Sequence, residues 1–368
     1  MNRVLLLIKG LGRGGAEQLL ASASRYLDRD RFSYEVAYLL PRKEALVGEL
    51  ESAGLPVHCL RGGQGAGWVA RLRSLVWARG FRLVHAHSPV PAVGARLGLP
   101  RRADVCIVYT EHNLWERYHR ATYWANALTF SRNDYVFAVS QQVHASIRYP
   151  PPLRSLRMPP IETRYYGIDP DPAPPWETAD GVLEGLGIPP GIPVVGTVAN
   201  FKPGKGHGYL LPAAERVREV FPDVRFVIVG RGPLEPAVRR KARQLGVESM
   251  FAFAGYREDV SRVMAAFDVL AVPSIHDGLS IALLEAMSLG KPAVVTRAGG
   301  NPEVVRDGEH GVVVPPADPD ALAEGIITLL RDDGLRARLG EAAKRRAADF
   351  DIRAAVRRTE EIYERLLR

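Results

Sequence analysis

The sequence predicts an α/β protein of two domains, each built on a parallel β-sheet, with a cleft between them. Three observations predict this fold class. The chain has 368 residues, which suits two domains of about 150 residues better than one. Short apolar runs alternate with helical or polar stretches in both halves, which is typical of stacked βαβ units. A proline-rich segment lies between the two series.

Six apolar runs in each half are the predicted strands. In the N-terminal half they cover residues 4–8, 34–40, 57–60, 83–87, 105–110 and 134–140. In the C-terminal half they cover residues 192–199, 224–230, 250–255, 269–274, 292–297 and 311–316. Both halves open with a strand, a glycine-containing loop and a helix.

The segment between the halves has nine prolines among residues 150–175, which excludes a helix and favours stiff, extended chain. We place the domain link near residues 167–177. The expected domains are residues 1–170 and 171–345. Residues 346–368 are expected to form a C-terminal helix that packs back toward the first domain, through apolar positions such as Ile352, Val356 and Ile362.

The positive charge lies mostly in the first half. Residues 1–180 hold 23 basic and 16 acidic side chains, a balance of +7, whereas residues 181–368 hold 26 and 25, a balance of +1. Such an excess can attract an anionic bilayer, a phosphorylated acceptor or nucleic acid, and charge alone does not choose among them.

Residues 113–132 mix five aromatic side chains with three arginines. An amphipathic helix at a membrane surface has this composition. An ordinary helix that packs Trp115, Trp124 and Phe130 inward has it too. Both interpretations stay open.

Two cysteines give neither a disulfide framework nor a metal-ligand spacing. The first apolar run is too short for a signal peptide, and no run approaches the roughly 18 apolar residues of a membrane span. We expect a cytoplasmic protein, with peripheral contact at the inner face of the membrane as an alternative.

The first glycine-rich loop satisfies G-x-G-x-x-G at Gly10, Gly12 and Gly15, between a strand and a helix. The acidic residue expected after the second strand is missing, which disfavours NAD but leaves NADP open, with Arg42 as its partner. Alternatively, Gly14 and Gly15 let the backbone approach a ligand's phosphate or sugar. A plain tight turn is the third interpretation.

The second loop, residues 200–211, places Lys202 and Lys205 among glycines just before a helix. This arrangement suits an anion. The P-loop spacing is not met, and a solvated basic turn is the alternative.

Residues 273–295 are the most informative stretch. A strand ends in a loop with Asp277, a helix follows, and Glu285 lies inside that helix. Backbone N–H groups at residues 279–281 are free to meet a phosphate, and carboxylates accept hydrogen bonds from sugar and ribose hydroxyls. A capping aspartate with an exposed glutamate is the alternative. The next glycine loop, residues 297–303, either closes over a ligand or makes a turn.

His112 follows the fifth predicted strand, where sheet ends face a ligand, although a lone histidine is often structural. His85 and His87 flank a strand end and are expected to support that edge rather than bind metal. Three D-x-D pairs occur, at residues 28 and 30, 169 and 171, and 318 and 320. None follows a buried strand in a suitable loop, and Asp318 is expected to cap a helix. We assign no metal.

The order and spacing of the motifs resemble a known family, the retaining glycosyltransferases of family 4. The motifs are GGAEQ, HAH, TEH, AVS, YYGID, KGH, VGRGP, FAGYREDV, an acidic residue seven positions before a glutamate, and EAMSLGKPAVVT, and they cover nearly the whole chain. The resemblance implies the GT-B fold, two Rossmann-like domains facing a deep inter-domain cleft. It also implies transfer from a nucleotide sugar, a UDP- or GDP-sugar, with retention of configuration and no required metal.

The resemblance also implies roles for individual residues. Lys205, with Lys202, would hold the donor diphosphate, and Glu285 would bind the donor ribose. His112, Lys205 and Asp277 would be the catalytic group, with no separate nucleophile and with the departing phosphate taking the acceptor proton. The remaining donor contacts, to sugar and phosphate, would come from Gly15, Asp277, Gly278, Leu279 and Ser280. The acceptor-side contacts would come from Gly14, Gly15 and His112.

Three positions depart from the family pattern. Position 277 is aspartate where glutamate is usual, which shortens the reach by one methylene. The arginine of the phosphate loop has no direct match, and Lys202 keeps its charge without the bidentate fork. The usual NGID is YYGID here.

The expected acceptor is a glycan, a lipid-linked intermediate or a small molecule, in cell-surface glycan or glycolipid synthesis or in secondary metabolism. The alternatives are a nucleotide-sugar epimerase of the same fold, an NADP-binding oxidoreductase, and a non-catalytic basic module that binds membrane or nucleic acid. We expect no nucleic-acid partner.

Overall fold

The computed structural model describes residues 1–60, 67–100, 105–169 and 181–368. The chain divides into two compact units, Met1–Gly167 together with Ile352–Arg368, and Ile168–Asp351. Most of the expected link, residues 170–177, lies outside the described residues. The second boundary falls between residues 351 and 352 rather than after 345, because a helix continues to Ala347 and Phe350 is buried beyond it.

The N-terminal unit is built on a seven-stranded parallel sheet in the order β3-β2-β1-β4-β5-β6-β7. Its strands are β1 (Asn2–Ile8), β2 (Phe32–Tyr38), β3 (Val57–Cys59), β4 (Leu83–His87), β5 (Cys106–Glu111), β6 (Tyr135–Ala138) and β7 (Ile161–Thr163). Residues 4–8 of β1 are all buried, as expected for a parallel strand that is covered on both faces.

Helices cover both faces of this sheet. They are α1 (Gly15–Ala23), α2 (Val47–Ser52), α3 (Gly67–Arg79), α4 (Pro89–Gly98), α5 (Arg120–Thr129) and α6 (Gln141–Ser146). Alternate residues of β1 enter two separate hydrophobic cores: Leu5 and Leu7 pack with residues of α3, α4 and α5, whereas Val4 and Leu6 pack with residues of α1 and α2. Because successive side chains of a strand point to opposite faces of the sheet, β1 contributes to both hydrophobic cores.

Two features of this unit differ from the sequence-based expectation. β7 was not predicted; it is a three-residue edge strand that follows Pro159 and Pro160, and edges are where sheets tolerate proline. Of the three aromatics expected to pack inward, Trp115 and Phe130 are buried, but Trp124 is 39% exposed. That part of the inward-packing interpretation is wrong.

The C-terminal unit repeats the architecture with a six-stranded parallel sheet in the order β10-β9-β8-β11-β12-β13. Its strands are β8 (Val194–Val198), β9 (Arg225–Val229), β10 (Phe251–Gly255), β11 (Val269–Val272), β12 (Ala293–Thr296) and β13 (Val312–Val314). Its helices are α7 (His207–Val220), α8 (Glu235–Gln244), α9 (Val260–Ala265), α10 (Ile281–Ser288), α11 (Asn301–Val304), α12 (Pro319–Arg331) and α13 (Asp333–Ala347). All six predicted strands are confirmed.

The last helix, α14 (Ile352–Leu367), belongs to the N-terminal unit. Its buried Ile362 joins the core that lies beneath α1. Its Glu360 carboxylate accepts hydrogen bonds from the Tyr34 hydroxyl at 2.7 Å and the Asp28 backbone N–H at 2.8 Å. The Tyr363 hydroxyl bonds the buried ring of His85. Among the helices of the described ranges, none combines the length and apolar character that a membrane crossing needs.

Replacing Glu360 by alanine should lower the free energy of unfolding of the N-terminal unit by about 2–3 kcal/mol. The reason is that two hydrogen bonds to a buried carboxylate are lost and both donors are left without a partner. Urea unfolding of Glu360→Ala checks this. The exposed neighbour in Glu361→Ala should change the value by less than about 0.5 kcal/mol, and equal effects of the two variants would contradict the role of Glu360.

Candidate functional site

The site in the C-terminal unit lies where the strand order reverses. β8 and β11 are neighbours in the sheet, but the chain leaves β8 toward β9 and leaves β11 toward β12. In parallel sheets such a reversal leaves a crevice at the carboxyl ends of the two strands, and ligands bind there. The two loops that leave this point, residues 199–206 and 273–280, hold most of the sequence-predicted site residues.

Lys205 and Asp277 are brought together across this point. The Lys205 ammonium lies 2.5 Å from Oδ2 of Asp277, and the Ser274 hydroxyl donates to the same oxygen at 3.2 Å. The side chains are 29% and 11% exposed, respectively. The pair is therefore partly shielded from water yet within reach of a ligand. Sequence reasoning missed Ser274, although it is the last residue of the predicted strand 269–274.

Two glycines allow the loops to approach this closely. Gly206 has φ +74°, and a Cβ there would lie 1.7 Å from the carbonyl oxygen of Pro273. Gly299 has φ +58°, and a Cβ there would lie 1.7 Å from the carbonyl oxygen of Asp277. No side chain fits at either position, so the backbones of three loops are fixed against one another. The 297–303 loop thus supports the backbone of Asp277.

α10 begins directly after this loop. Ser280 is its N-cap residue, and both Ser280 and Leu279 are buried. The first N–H groups of a helix have no partner within the helix, and together with the helix dipole they favour an anion. The helix ends at Ser288, and Gly290 follows with φ +69°.

Glu285 lies in the middle of α10 and is partly buried. Burial raises the pKa of its carboxyl to about 7. Near neutral pH the side chain is therefore divided between its charged and uncharged forms. A ligand that donates hydrogen bonds to it would favour the charged form.

Lys202 is exposed and lies three residues before Lys205 in the same loop. Its carbonyl oxygen accepts from the Lys205 backbone N–H at 3.3 Å. His207, which sequence reasoning did not single out, is buried and stacks on Phe201 with ring centroids 4.5 Å apart. Burial lowers the pKa of His207 to about 4, so a neutral ring supports the start of α7.

The N-terminal unit has the same reversal between β1 and β4, and His112 follows the next strand. A buried carboxylate, Glu111, fixes its position. Glu111 accepts hydrogen bonds from the His112 backbone N–H at 3.0 Å, the Tyr109 hydroxyl at 2.8 Å and the Trp115 indole at 2.9 Å. Sequence reasoning missed this role.

The His112 ring is bonded on both sides. Nδ1 lies 2.6 Å from the Tyr166 hydroxyl, and Nε2 lies 3.2 Å from Nδ1 of His87. Burial, with a smaller contribution from the Arg164 charge, lowers the pKa of His112 to about 3. The ring is therefore neutral at physiological pH, able to exchange hydrogen bonds but unable to serve as an acid. Tyr166 is the tyrosine that departs from the usual NGID motif.

Lys43 packs against the first glycine loop and occupies part of the space beside it. A Cβ on Gly10 would lie 3.0 Å from Cβ of Lys43, and one on Gly12 would lie 3.5 Å from it. The Leu11 N–H donates to the Lys43 carbonyl at 2.6 Å. Gly10 thus makes room for residue 43, which supports the tight-turn interpretation for this position, whereas a Cβ on Gly12 would make an ordinary contact. Gly14 is the N-cap of α1 and Gly15 its first residue.

Within the described ranges, no group of three or more His, Cys, Asp or Glu side chains has a geometry that could hold a metal ion. Asp318 caps α12 by accepting from the backbone N–H groups of Asp320 and Ala321, as predicted. Asp28 accepts from two backbone N–H groups of its own turn. Asp171 of the remaining D-x-D pair lies outside the described residues.

Two family profiles match the chain. The profile "Glycosyltransferase Family 4" matches residues 13–171, and the profile "Glycosyl transferases group 1" matches residues 183–346. The chain belongs to glycosyltransferase family 4.

Curated relatives of this glycosyltransferase include the putative glycosyltransferase EpsD of Bacillus subtilis (strain 168). It is 26% identical over 316 residues, which cover 80% of this chain and 79% of EpsD. The D-inositol 3-phosphate glycosyltransferase of Corynebacterium glutamicum (strain R) is 35% identical over 187 residues. That match covers 48% of this chain and 44% of the Corynebacterium protein, so it spans less than half of that relative.

Solved structures share the fold. Anabaena HepE, solved in complex with UDP-glucose, is 25% identical with a TM-score of 0.86, over 99% of this chain and 100% of HepE. WaaG, a glycosyltransferase involved in lipopolysaccharide biosynthesis, is 18% identical with a TM-score of 0.75, over 98% and 99% of the two chains. The expected GT-B fold, with two Rossmann-like parallel-sheet domains, is confirmed.

Glu285→Gln should remove a pH dependence of stability. The carboxyl has a pKa of about 7 when folded against 4.5 for the free side chain, so between these values the folded state binds more protons and stability falls as pH rises. Glutamine has the shape of the uncharged glutamic acid side chain but cannot ionise. We therefore expect the variant to unfold much like the wild type at pH 5 and to be about 2–3 kcal/mol more stable than it at pH 8.

Urea unfolding of both proteins at several pH values measures this difference. The matched control is Glu324→Gln, which replaces an exposed glutamate on α12 and should leave the pH profile as it is. Parallel profiles for wild type and Glu285→Gln would show that Glu285 is ionised in the folded chain.

Proposed function

We propose that this family 4 glycosyltransferase moves a sugar from a nucleotide-sugar donor, UDP- or GDP-linked, to an acceptor, with retention of configuration and without a metal. The C-terminal unit holds the donor. The observation that carries the proposal is the partly buried contact of Lys205 with Asp277, next to the start of α10, at the reversal of strand order. HepE, which was solved with UDP-glucose, supports the donor class.

Lys205 and Lys202, with the N–H groups of Gly278, Leu279 and Ser280 at the start of α10, bind the donor diphosphate. Negative charge develops on this group as the bond to the sugar breaks. Fixed cationic groups and a helix N-terminus stabilise that charge without reorganising during the reaction. The part of Lys205 in catalysis is therefore electrostatic.

Asp277 has two partners in turn. Its carboxylate holds Lys205 in this structure, and a donor diphosphate, which carries more negative charge, competes for the lysine. Once the lysine turns to the diphosphate, Oδ2 of Asp277 is free to accept a hydrogen bond from a hydroxyl of the transferred sugar. The short aspartate side chain suits both partners because its backbone is fixed by Gly299.

Glu285 binds the donor ribose. Two neighbouring hydroxyls donate to the ionised carboxylate, and this lowers a pKa that burial has raised to about 7. Donor affinity should thus weaken as the pH falls below 7.

His112, Gly14 and Gly15 form the acceptor side, in the N-terminal unit. A sugar hydroxyl takes the place of His87 at Nε2 of the neutral His112 ring, while Tyr166 holds the other ring nitrogen. Its pKa of about 3 makes it unsuited to collect the acceptor proton at neutral pH, so the departing phosphate oxygen takes that proton.

The acceptor is a glycan, a lipid-linked intermediate or a small molecule, in cell-surface glycan or glycolipid synthesis. The name of one relative supports this context: the lipopolysaccharide core biosynthesis glycosyltransferase LpsE of Rhizobium meliloti (strain 1021) is 34% identical over 156 residues, which cover 42% of this chain and 45% of LpsE. We propose action at the cytoplasmic side, with peripheral membrane contact through the basic N-terminal unit and no nucleic-acid partner.

A thermal-shift screen against UDP, GDP, ADP, their sugars and NADPH tests the donor. A ligand at one hundred times its Kd stabilises the folded protein by about 2.7 kcal/mol, which raises Tm by several degrees. We expect stabilisation by UDP or GDP and their sugars. A rise with NADPH alone would favour the oxidoreductase, and no rise with any nucleotide would contradict the proposal.

Lys205→Ala should lower kcat/KM for sugar transfer by about 10²- to 10³-fold, the scale for one preorganised charge stabiliser. Transfer from the donor identified above to alkyl glycoside acceptors measures it, and NMR of the product shows whether configuration is retained. Lys241→Ala, an exposed lysine on α8, is the matched control. Unchanged turnover in Lys205→Ala would remove its proposed role, and an inverted product would remove retention.

A further inference from the structure

A cavity of about 90 Å³ lies wholly within the N-terminal unit, between α1, α14 and the sheet. Its wall is largely apolar. The apolar side chains that line it include Leu6, Leu19, Leu27, Ile352, Ala355 and Val356. The functional proposal above uses none of these residues.

One end of the cavity is polar. His87, His112, Tyr166 and Arg164 line it there, and the first three are the hydrogen-bonded chain described above. The cavity therefore runs from the acceptor-side histidine to an apolar space between two helices. A ligand that fills it has a polar end at His112 and an apolar remainder.

Arg164 is the unusual member of this lining. Its Nη1 donates to the Ala355 carbonyl at 3.1 Å, and its guanidinium lies over the Phe137 ring, 4.5 Å from the centroid. Its Nε is buried and has no hydrogen-bond partner. Among the residues that the structure describes, no carboxylate lies within ion-pair distance of it.

A buried charge of this kind is costly unless an opposite charge compensates it. Burial lowers the pKa of Arg164, and its charge contributes to the lowered pKa values of His85, His87 and His112. The acidic residue in the lining, Glu360, is already bonded to Tyr34 and to the Asp28 backbone. The polar end thus has an excess of positive charge that suits an anion.

We propose that this cavity binds the acceptor as a phosphorylated amphiphile, with its phosphate on Arg164 and its apolar chain between α1 and α14. The guanidinium of Arg164 lines the cavity and would supply the charge and the N–H donors for phosphate oxygens, because a guanidinium matches phosphate geometry. The chain lies along the apolar wall. This inference rests on the proposed glycosyltransferase function, because it places the acceptor beside His112.

Binding of hexyl phosphate to the full chain, measured by titration calorimetry, tests the site, with inorganic phosphate and hexanol as comparison ligands. We expect hexyl phosphate to bind at least 10-fold more tightly than inorganic phosphate or hexanol. Arg164→Gln should weaken the binding of hexyl phosphate at least 10-fold. Arg357→Gln, which removes an exposed arginine of α14, should leave it unchanged.

A second variant separates the two ends of the ligand. Leu19→Phe narrows the apolar space at a residue of α1 that lines the cavity, so it should weaken hexyl phosphate binding at least 5-fold and leave binding of inorganic phosphate unchanged. Binding of UDP, which the C-terminal unit holds, should be the same in all variants, and urea unfolding of each variant shows that its N-terminal unit is folded.

The outcomes separate this inference from the function on which it rests. If UDP binds but hexyl phosphate binds no better than inorganic phosphate, or binds Arg164→Gln as well as wild type, the cavity proposal is overturned and the donor proposal stands. If hexyl phosphate binding depends on Arg164 but no nucleotide binds, the anion site stands and its assignment to a sugar acceptor is overturned.

Discussion

The reversal of strand order in a parallel sheet is the constraint on which the candidate site of each unit depends. Parallel strands must be joined by crossovers, and where successive crossovers run in opposite directions the carboxyl ends of two neighbouring strands stay uncovered. β1 with β4, and β8 with β11, are these pairs. Gly14, Lys205 and Asp277 lie in loops that leave these strands, His87 ends β4, and His112 follows β5 beside it.

A crevice alone does not position side chains to within hydrogen-bonding distance, and the two units solve this in different ways. In the C-terminal unit the backbone itself is fixed: residues 206 and 299 press against neighbouring carbonyl groups at distances that exclude a side chain. In the N-terminal unit a buried carboxylate, Glu111, collects donors from the turn that carries His112. Close backbone contact suits the proposed diphosphate site of the C-terminal unit. A buried carboxylate that accepts several hydrogen bonds suits the positioning of a neutral histidine in the N-terminal unit.

The sequence was sufficient for the layers and the order of elements. Long β-branched runs, such as residues 224–230, are typical of parallel strands that are buried on both faces. β7 was missed because three residues after two prolines carry no periodic signal. Trp124 was misplaced because an amphipathic pattern does not say which of several aromatics faces outward.

The site was predictable as a set of residues but not as a set of contacts. Lys205 and Asp277 were singled out by their loops, yet their contact joins positions 72 apart in sequence and depends on glycines in a third loop. The raised pKa of Glu285 follows from burial, which local sequence does not reveal. Tyr166 was visible as a departure from a motif, Arg164 was not singled out, and the neighbours of both came only with the fold. The roles of the site residues in binding and catalysis remain predictions.

The position of α14 has a consequence for synthesis on the ribosome. The N-terminal unit needs residues 352–368 to complete the core beneath α1, but these residues are translated only after the entire C-terminal unit. During that interval the side of the nascent sheet that α14 covers stays open to solvent, with Tyr34 and His85 lacking their partners. The unit made first is thus completed last.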